Sequence, residues 1–338
     1  MKDLEIGKFK IGYEHDIVII AEVGINHEGS IESCLEHIKE AANAGAHVIK
    51  LQTVDADENY VEGTPSYEIF KKAFLDKEET QRAFDYTREL GMEPMTTFGD
   101  FKTLEWHKDL APPAYKISSG LLTTMPIIEK IATLDKSILL STGMANHQDV
   151  KNELDTIKKY HINYGVFQCT SSYPCPLESL NLSYMDVLRK DFECHVGFSD
   201  HSLGVDGSLW AIARGAQFIE KHFSLDSKRN GFDHKISLNP IELKELCEKS
   251  KMVKSALGSG KKSIDDEMKK KRAFFQRCLV AREDIKAGDI FTEDNLTFKR
   301  PLENKRGLEP SFYERLLGKK SENNYFKNDP IEENVSTS

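Results

Sequence analysis

Eight apolar, β-rich runs separated by amphipathic stretches constrain the fold of this chain more than any other feature. They are 17-IVIIAEVGIN-26, 47-HVIKLQT-53, 94-PMTTFG-99, 114-AYKISSG-120, 137-SILLSTGM-144, 164-YGVFQCTSS-172, 194-CHVGFSD-200 and 217-QFIEKHFS-224. Strand-like runs alternating with helix-like stretches are the sequence sign of parallel α/β architecture. Two of the intervening segments, SIESCLEHIKEAANAG and ETQRAFDYTRELG, end on Gly45 and Gly91, the residue type that accepts the left-handed stop of a helix. Eight such units suit a closed (β/α)8 TIM barrel, whose usual size is about 250 residues. An open doubly wound sheet is the competing architecture, but no GxGxxG follows the first run, so the dinucleotide-binding form lacks its phosphate turn. Polar residues stand at the C-terminal ends of almost all the runs. A barrel keeps its active site there, whereas an open sheet concentrates such residues at one switch point.

Composition narrows the partners. Asp and Glu total 55 against 46 Lys and Arg, a net charge of −9, which argues against the basic face of a nucleic-acid binder but not against a small anion held by local lysines. The six cysteines, Cys34, Cys169, Cys175, Cys194, Cys247 and Cys278, are scattered without CxxC pairs and read as free thiols. The first residues, MKDLEIGKFKIGYEHD, have no apolar signal region, and no run approaches a membrane span, so the expected location is cytoplasmic with no membrane partner.

After 240-PIELKELCEKSKMVKSALG-258, the charged stretch GSGKKSIDDEMKKKR lacks apolar periodicity and reads as a linker. The expected organisation is a catalytic barrel over 1–256, a linker over 257–275 and a small β-rich domain over 276–338. The last has a tight turn at 286-KAGD-289 and a helix-start signal at 292-TEDN-295. So few residues make a marginal domain alone, so it is expected to lean on the barrel or on a partner subunit.

Strand alternation places residues two apart on one face, so Glu220 pairs with His222, Lys50 with Gln52, and Glu22 with Gly24 and Asn26. The polar set collected at the run ends is Glu22, Asn26, His27, Lys50, Gln52, Lys116, Ser119, Ser141, Ser171, Tyr173, Ser199, His201, Glu220 and His222. Lys50 and Lys116 with the hydroxyls of Ser119, Ser141 and Ser199 have the donors that a phosphate or phosphoenol group needs. His201 and His222 are too few for a closed zinc site, and by spacing alone they read more readily as core or capping histidines. They suit an open octahedral ion such as Mn²⁺. No HxH or HExxH is present, which disfavours hydrolytic zinc barrels and metalloproteases.

Taken together, 21-AEVGINHEG-29, 48-VIKLQT-53, 115-YKISSG-120, 140-LSTGM-144, 169-CTSSYPCP-176, 197-GFSDHS-202, 219-IEKHFSLD-226, 233-DHKISL-238 and 298-FKRP-301 resemble the sialic acid synthase family in content and order. The tail resembles the antifreeze-like (SAF) domain of those enzymes. The resemblance covers nearly the whole chain. It implies a metal-dependent condensation of phosphoenolpyruvate with an N-acetylated hexosamine, N-acetylmannosamine or a diacetamido-trideoxyhexose, to a nine-carbon 3-deoxy-2-keto acid and phosphate.

The resemblance further implies a divalent ion, Mn²⁺ with Mg²⁺ or Co²⁺ as alternatives, on His201 and His222. The ion would polarise the sugar aldehyde, while a water deprotonated with help from a carboxylate adds at C2. Phosphoenolpyruvate contacts then fall on Lys50, Lys116, Ser119, Ser141 and Ser199, and Glu22 is the candidate base. Gln52, Ser171, Tyr173 and Asp233 face the sugar, and Glu220 neighbours the metal. Arg300 matches an arginine that crosses from the small domain of one subunit into the barrel of the other, implying a domain-swapped homodimer. Three departures bear on the acceptor: Ser171 where the family usually has asparagine, Leu121 where an acid often follows, and 96-TTFGD-100 for the usual STPFD. A different metal-dependent 3-deoxy-ulosonate synthase or aldolase and a non-catalytic sugar-binding derivative are the rival readings.

Overall fold

The computed structural model describes residues 3–160, 162–302 and 305–332. The chain divides into two compact units, Met1–Gly258 and Ser259–Ser338. In the first, a short antiparallel hairpin of β1 (Leu4–Ile6) and β2 (Phe9–Ile11) precedes eight parallel strands. These are β3 (Val18–Gly24), β4 (Val48–Thr53), β5 (Glu93–Phe98), β6 (Ala114–Ile117), β7 (Ser137–Ser141), β8 (Tyr164–Cys169), β9 (His195–Asp200) and β10 (Phe218–His222). Each falls inside or within a residue of one of the eight apolar runs. They pair in chain order, and β10 returns to β3, so that Phe218 stands beside Val18 and His222 beside Glu22. The ring is interrupted only between β5 and β6, which pack side by side without a shared ladder among the described residues.

Local chemistry explains the helices between the strands. The helix Ile31–Ala44 starts where Ser30 accepts a hydrogen bond from the Ser33 N–H, and it stops at Gly45, which adopts φ 93°. The helix ending near Gly91 begins at Lys77, earlier than its apolar pattern suggests, because Asp76 and Glu79 close a reciprocal capping box. Asn239 and Glu242 do the same for Pro240–Leu257. The outward faces of the strands and the inward faces of the helices form one large apolar layer that includes Ile19, Ile49, Phe98 and Ile219.

Inside the barrel the lower half is apolar: Val18, Val48, Met95, Leu139, Phe167 and Phe218 meet Leu4, Ile6 and Ile11 of the hairpin. The hairpin, which the sequence pattern did not single out, is a plug for the N-terminal end of the barrel. Gly165 and Gly197 make room there, since a Cβ at Gly197 would stand 2.3 Å from the Phe218 ring.

The second unit has its own small core, with Leu279, Ile285, Phe291, Leu296 and Tyr325, beneath the antiparallel pair β11 (Cys278–Ala281) and β12 (Leu296–Lys299). Two expectations differ from what is found. The stretch read as a linker contains the helix Asp266–Phe275, N-capped by Asp265. The helix-start signal at Thr292 closes a turn instead: Thr292 and Asn295 exchange hydrogen bonds with each other's backbone N–H, and β12 follows at once. A capping box satisfies N–H groups, but without an apolar helical period behind it the chain goes on as a strand. The six cysteines are free and buried.

Candidate active site

The period-two alternation of the strands turns the apolar floor into a charged mouth within a few residues. Phe218 lies inside the barrel floor, Glu220 and His222 follow on the same face, and the same step leads from Val48 to Lys50 and from Leu139 to Ser141. The result is a cavity of about 750 Å³ at the C-terminal ends of the strands. Of the residues expected in the site, Glu22, Lys50, Gln52, Lys116, Ser119, Ser141, Ser171, Tyr173, Ser199, His201, Glu220 and His222 all line it.

Two ammonium and two carboxylate groups share its floor, all buried. Lys50 Nζ stands 2.7 Å from Glu22 Oε2 and 3.7 Å from Glu220 Oε2. Lys116 Nζ donates to Ser141 Oγ at 2.6 Å, lies 3.6 Å from Glu220 Oε1 and sits over the Phe167 ring. Ser199 Oγ donates to Glu220 Oε1 at 3.1 Å, and Gln52 Nε2 donates to Glu22 Oε1 at 2.8 Å.

The carboxylates are driven apart in acidity. Burial raises Glu22 to about 7 despite the neighbouring Lys50, with the Glu220 charge adding to the rise. Burial also works to raise Glu220, but Lys116 and Lys50 outweigh it and hold this group at about 2. Lys50 is held above its ordinary value: burial opposes its charge, and Glu22 and Glu220 more than offset that. Lys116, with no carboxylate at hydrogen-bonding distance, is lowered by burial.

His201 and His222 face each other with ring centroids 5.5 Å apart. Burial depresses both, His201 to about 4 and His222 to about 3, so both imidazoles are neutral near pH 7 and keep a lone pair for a ligand. His201 Nδ1 lies 2.9 Å from the Thr170 carbonyl. As the donor of that bond, Nδ1 carries the proton and Nε2 is left as the coordinating atom. His222 Nδ1 is buried without a hydrogen-bond partner, as is Glu220 Oε2, and buried polar atoms of this kind mark an incomplete site.

Two glycines permit these approaches. Gly24 sits at a register shift with φ 57°, and a Cβ there would press on the Glu22–Gln52 pair at 3.2 Å. A Cβ at Gly143 would stand 2.3 Å from Ser171 Oγ and 2.9 Å from Ser119 Oγ.

Three expected residues of the first unit, Asp233, Asn26 and His27, do not line the cavity. Asp233 stands next to it, its Oδ2 3.7 Å from His222 Nδ1. Arg300 belongs to the second unit, where its guanidinium lies over the Phe275 ring at 5.5 Å. Asn26 and His27, grouped with the site by strand alternation, lie outside it. The chain leaves the strand at Gly24, and Asn26 ties the loop beyond β10 by bonding Phe223 O, Ser237 Oγ and the Asp233 N–H. Conversely, Tyr60, Phe70, Phe101, Leu121 and Met144 line the outer cavity, although only Leu121 drew attention in the sequence. Their signal is lost because they come from loops and from short helices, Pro65–Ala73 and Phe101–Leu104, rather than from the strands.

Fold and site together define a (β/α)8-barrel protein with an anion-ready mouth that carries two neutral imidazoles. The NeuB family profile matches residues 37–262, and the SAF domain profile matches residues 276–334. An N,N'-diacetyllegionaminic acid synthase of Campylobacter jejuni is 35% identical over 94% of this chain and 99% of its own. A pseudaminic acid synthase of the same species is 34% identical over 98% of this chain and 99% of its own. The crystal structure of N-acetylneuraminic acid synthetase from Leptospira borgpetersenii, in complex with citrate, superposes with a TM-score of 0.77 at 30% identity. It covers 80% of this chain and 95% of that one. The chain belongs to the NeuB family.

Proposed function

We propose that this protein condenses phosphoenolpyruvate with an N-acetylated hexosamine to a nine-carbon 2-keto-3-deoxy acid, releasing phosphate. The observation that carries this reading is the convergence, in one cavity, of two buried lysines, Lys116 and Lys50, the carboxylates of Glu22 and Glu220 and two neutral imidazoles. Lys116, Lys50, Ser119, Ser141 and Ser199 hold the phosphate and carboxylate of the enol substrate. Their short, fixed donors suit a dianion better than water does. Glu22, raised to about 7, takes the proton from the water that adds at C2, which is the pKa range in which a general base works best at neutral pH. Gln52 holds that carboxyl in place, and Glu220 stays ionised beside the imidazoles. Tyr173 stacks near His201, ring centroids 4.2 Å apart, and closes the side of the cavity where the sugar enters.

His201 and His222 fit a divalent ion. Both are neutral, His222 Nδ1 lacks a partner, and no third His, Cys, Asp or Glu completes a protein cage among the described residues. That leaves positions for water and substrate, as Mn²⁺ accepts more readily than a structural zinc. When bound, the ion would supply Lewis-acid polarisation of the aldehyde oxygen.

Leu121, Tyr60, Phe70 and Phe101 add apolar surface to the cavity wall beside Glu58, Asn59 and Asp100, a mixed lining that suits the methyl and acetamido groups of a diacetamido-trideoxyhexose. We also propose a domain-swapped homodimer in which Arg300 of one subunit holds an acetamido group in the other. It is supported by the resemblance of 298-FKRP-301 and by the exposure of Arg300, Phe274 and Phe275. Phosphate release from phosphoenolpyruvate, measured over a panel of N-acetylated hexoses with and without Mn²⁺, tests the reaction. Release is expected only with metal and amino-sugar together, fastest with the trideoxy acceptors, and no release with any sugar and any divalent metal would sink the reading.

A further inference from the structure

The strand faces that look toward the helices are apolar almost throughout, with Ile19, Ile49, Leu140, Val196 and Ile219 among them. Lys221 is one of the few polar residues on that face, with Asp200, Gln168 and Thr96. It lies between Glu220 and His222 on β10 and so points away from the cavity into the helix layer, fully buried, opposite the equally buried Asp200 of β9, its partner in the strand register. Burying an ion pair costs desolvation that well-packed apolar residues of the same volume would not incur. Stability alone does not account for it.

Its contacts point to one loop. Asp200 Oδ1 accepts from the Ser202 N–H at 2.8 Å and from Ser202 Oγ at 2.6 Å. Oδ2 accepts from Ser208 Oγ at 2.7 Å and faces Lys221 Nζ at 3.1 Å. Lys221 Nζ also donates to the Ser202 carbonyl. The residues on both sides of His201 are therefore pinned to the strand that carries His222. Helix packing closes around the cluster, since a Cβ at Gly207 would stand 2.7 Å from Ser202 Oγ. From the opposite side the Cys175 N–H donates to the His201 carbonyl at 2.8 Å.

We propose that Lys221, acting through Asp200 and Ser202, is a positioning residue that fixes the spacing of the His201 and His222 imidazoles for one divalent ion. The inference rests on the reading of these histidines as a metal pair. It concerns a residue that touches neither metal nor substrate: one ammonium group joins the two imidazole-bearing segments. Partners that orient first ligands in this way typically change metal affinity by about 10- to 100-fold when removed.

The test is direct Mn²⁺ binding, read from the electron paramagnetic resonance signal of the free ion, on the full chain without substrate. Lys221→Met is expected to keep the circular dichroism of the native protein and to bind Mn²⁺ roughly 10- to 100-fold more weakly, and Lys221→Arg to recover most of the loss. Val196→Ala, a buried change of the same layer away from the pair, is expected to lower stability without moving Mn²⁺ affinity. Unchanged affinity in Lys221→Met overturns the proposal. If that variant does not fold, Asp200→Asn, which keeps an acceptor for Ser202 but removes the charge facing Lys221, is read instead, and native affinity there overturns it equally. Native protein that binds no Mn²⁺ while still releasing phosphate overturns the metal reading itself, a different outcome from the first.

Discussion

The two halves of the barrel interior are built on the same strands and separated by only two residues, yet they do opposite work. The lower half, around Val18, Val48, Leu139 and Phe218, is closed and dry and capped by the β1–β2 hairpin. The upper half buries Glu22, Lys50, Lys116 and Glu220 at a mouth of about 750 Å³. The contrast teaches where stability and chemistry are stored. Apolar burial supports the ring from below, whereas the charges buried above carry a desolvation cost that apolar residues would not.

The difference can be broken experimentally, most strongly from below. Phe218→Ala removes a ring that packs edge-on against Phe167 at 4.6 Å and is expected to cost about 3–5 kcal/mol of stability. The turnover of the folded fraction should stay within about tenfold, because no group of the mouth is removed. Chemical denaturation followed by a rate measurement on the folded protein checks both halves of that statement. A large loss of turnover at full folding would mean that the floor shapes the chemistry as well.

Lys116→Met should give the mirror result. Phosphate release is expected to fall by about 10²–10³, the usual loss on removing one electrostatic donor, with a smaller loss of stability than Phe218→Ala gives, since Glu220 keeps Lys50 at 3.7 Å. A marked fall in melting temperature would instead assign Lys116 a structural role.

The smallest effect is a pH dependence confined to the upper half. The folded-state pKa of Glu22, about 7, lies above its ordinary value of 4.5, so the folded state holds the proton more tightly than the unfolded chain does. This group's stabilising contribution is complete below pH 4.5 and is lost as pH rises through 7, with a slope of no more than about 1.4 kcal/mol per pH unit for one proton. In metal-free, substrate-free protein, Glu22→Gln should flatten the stability curve over that window, whereas Phe218→Ala should leave its slope intact. A slope unaltered by Glu22→Gln would place the titration elsewhere.

Much of this was legible in the chain. Apolar runs of strand length recur eight times, and inside each the alternation of side chains decides which residue faces the barrel axis, so Lys50 with Gln52 and Glu220 with His222 could be paired before any coordinates. Alternation failed where strands end. Gly24 breaks the register after Glu22, and Asn26, two residues on, became a strut for a loop rather than a ligand contact. The aromatic rim of Tyr60, Phe70 and Phe101 was likewise illegible, because its residues come from loops and short helices without periodic pattern, and the hairpin plug was too short to announce itself.

What the sequence determined by itself was therefore a repeating local order: strand, helix and side-chain direction, set by steric and hydrophobic periodicity over a handful of residues. Only the tertiary structure decided distance. Closing β10 onto β3 set His222 beside Glu22, although 200 positions separate them in the chain. The approach of β9 to β10 buried Lys221 against Asp200 at 3.1 Å. Those contacts depend on ring closure, a property of all the strands together: burial raises Glu22 to about 7, while the two lysines that closure brings to Glu220 outweigh the same burial and hold it at about 2.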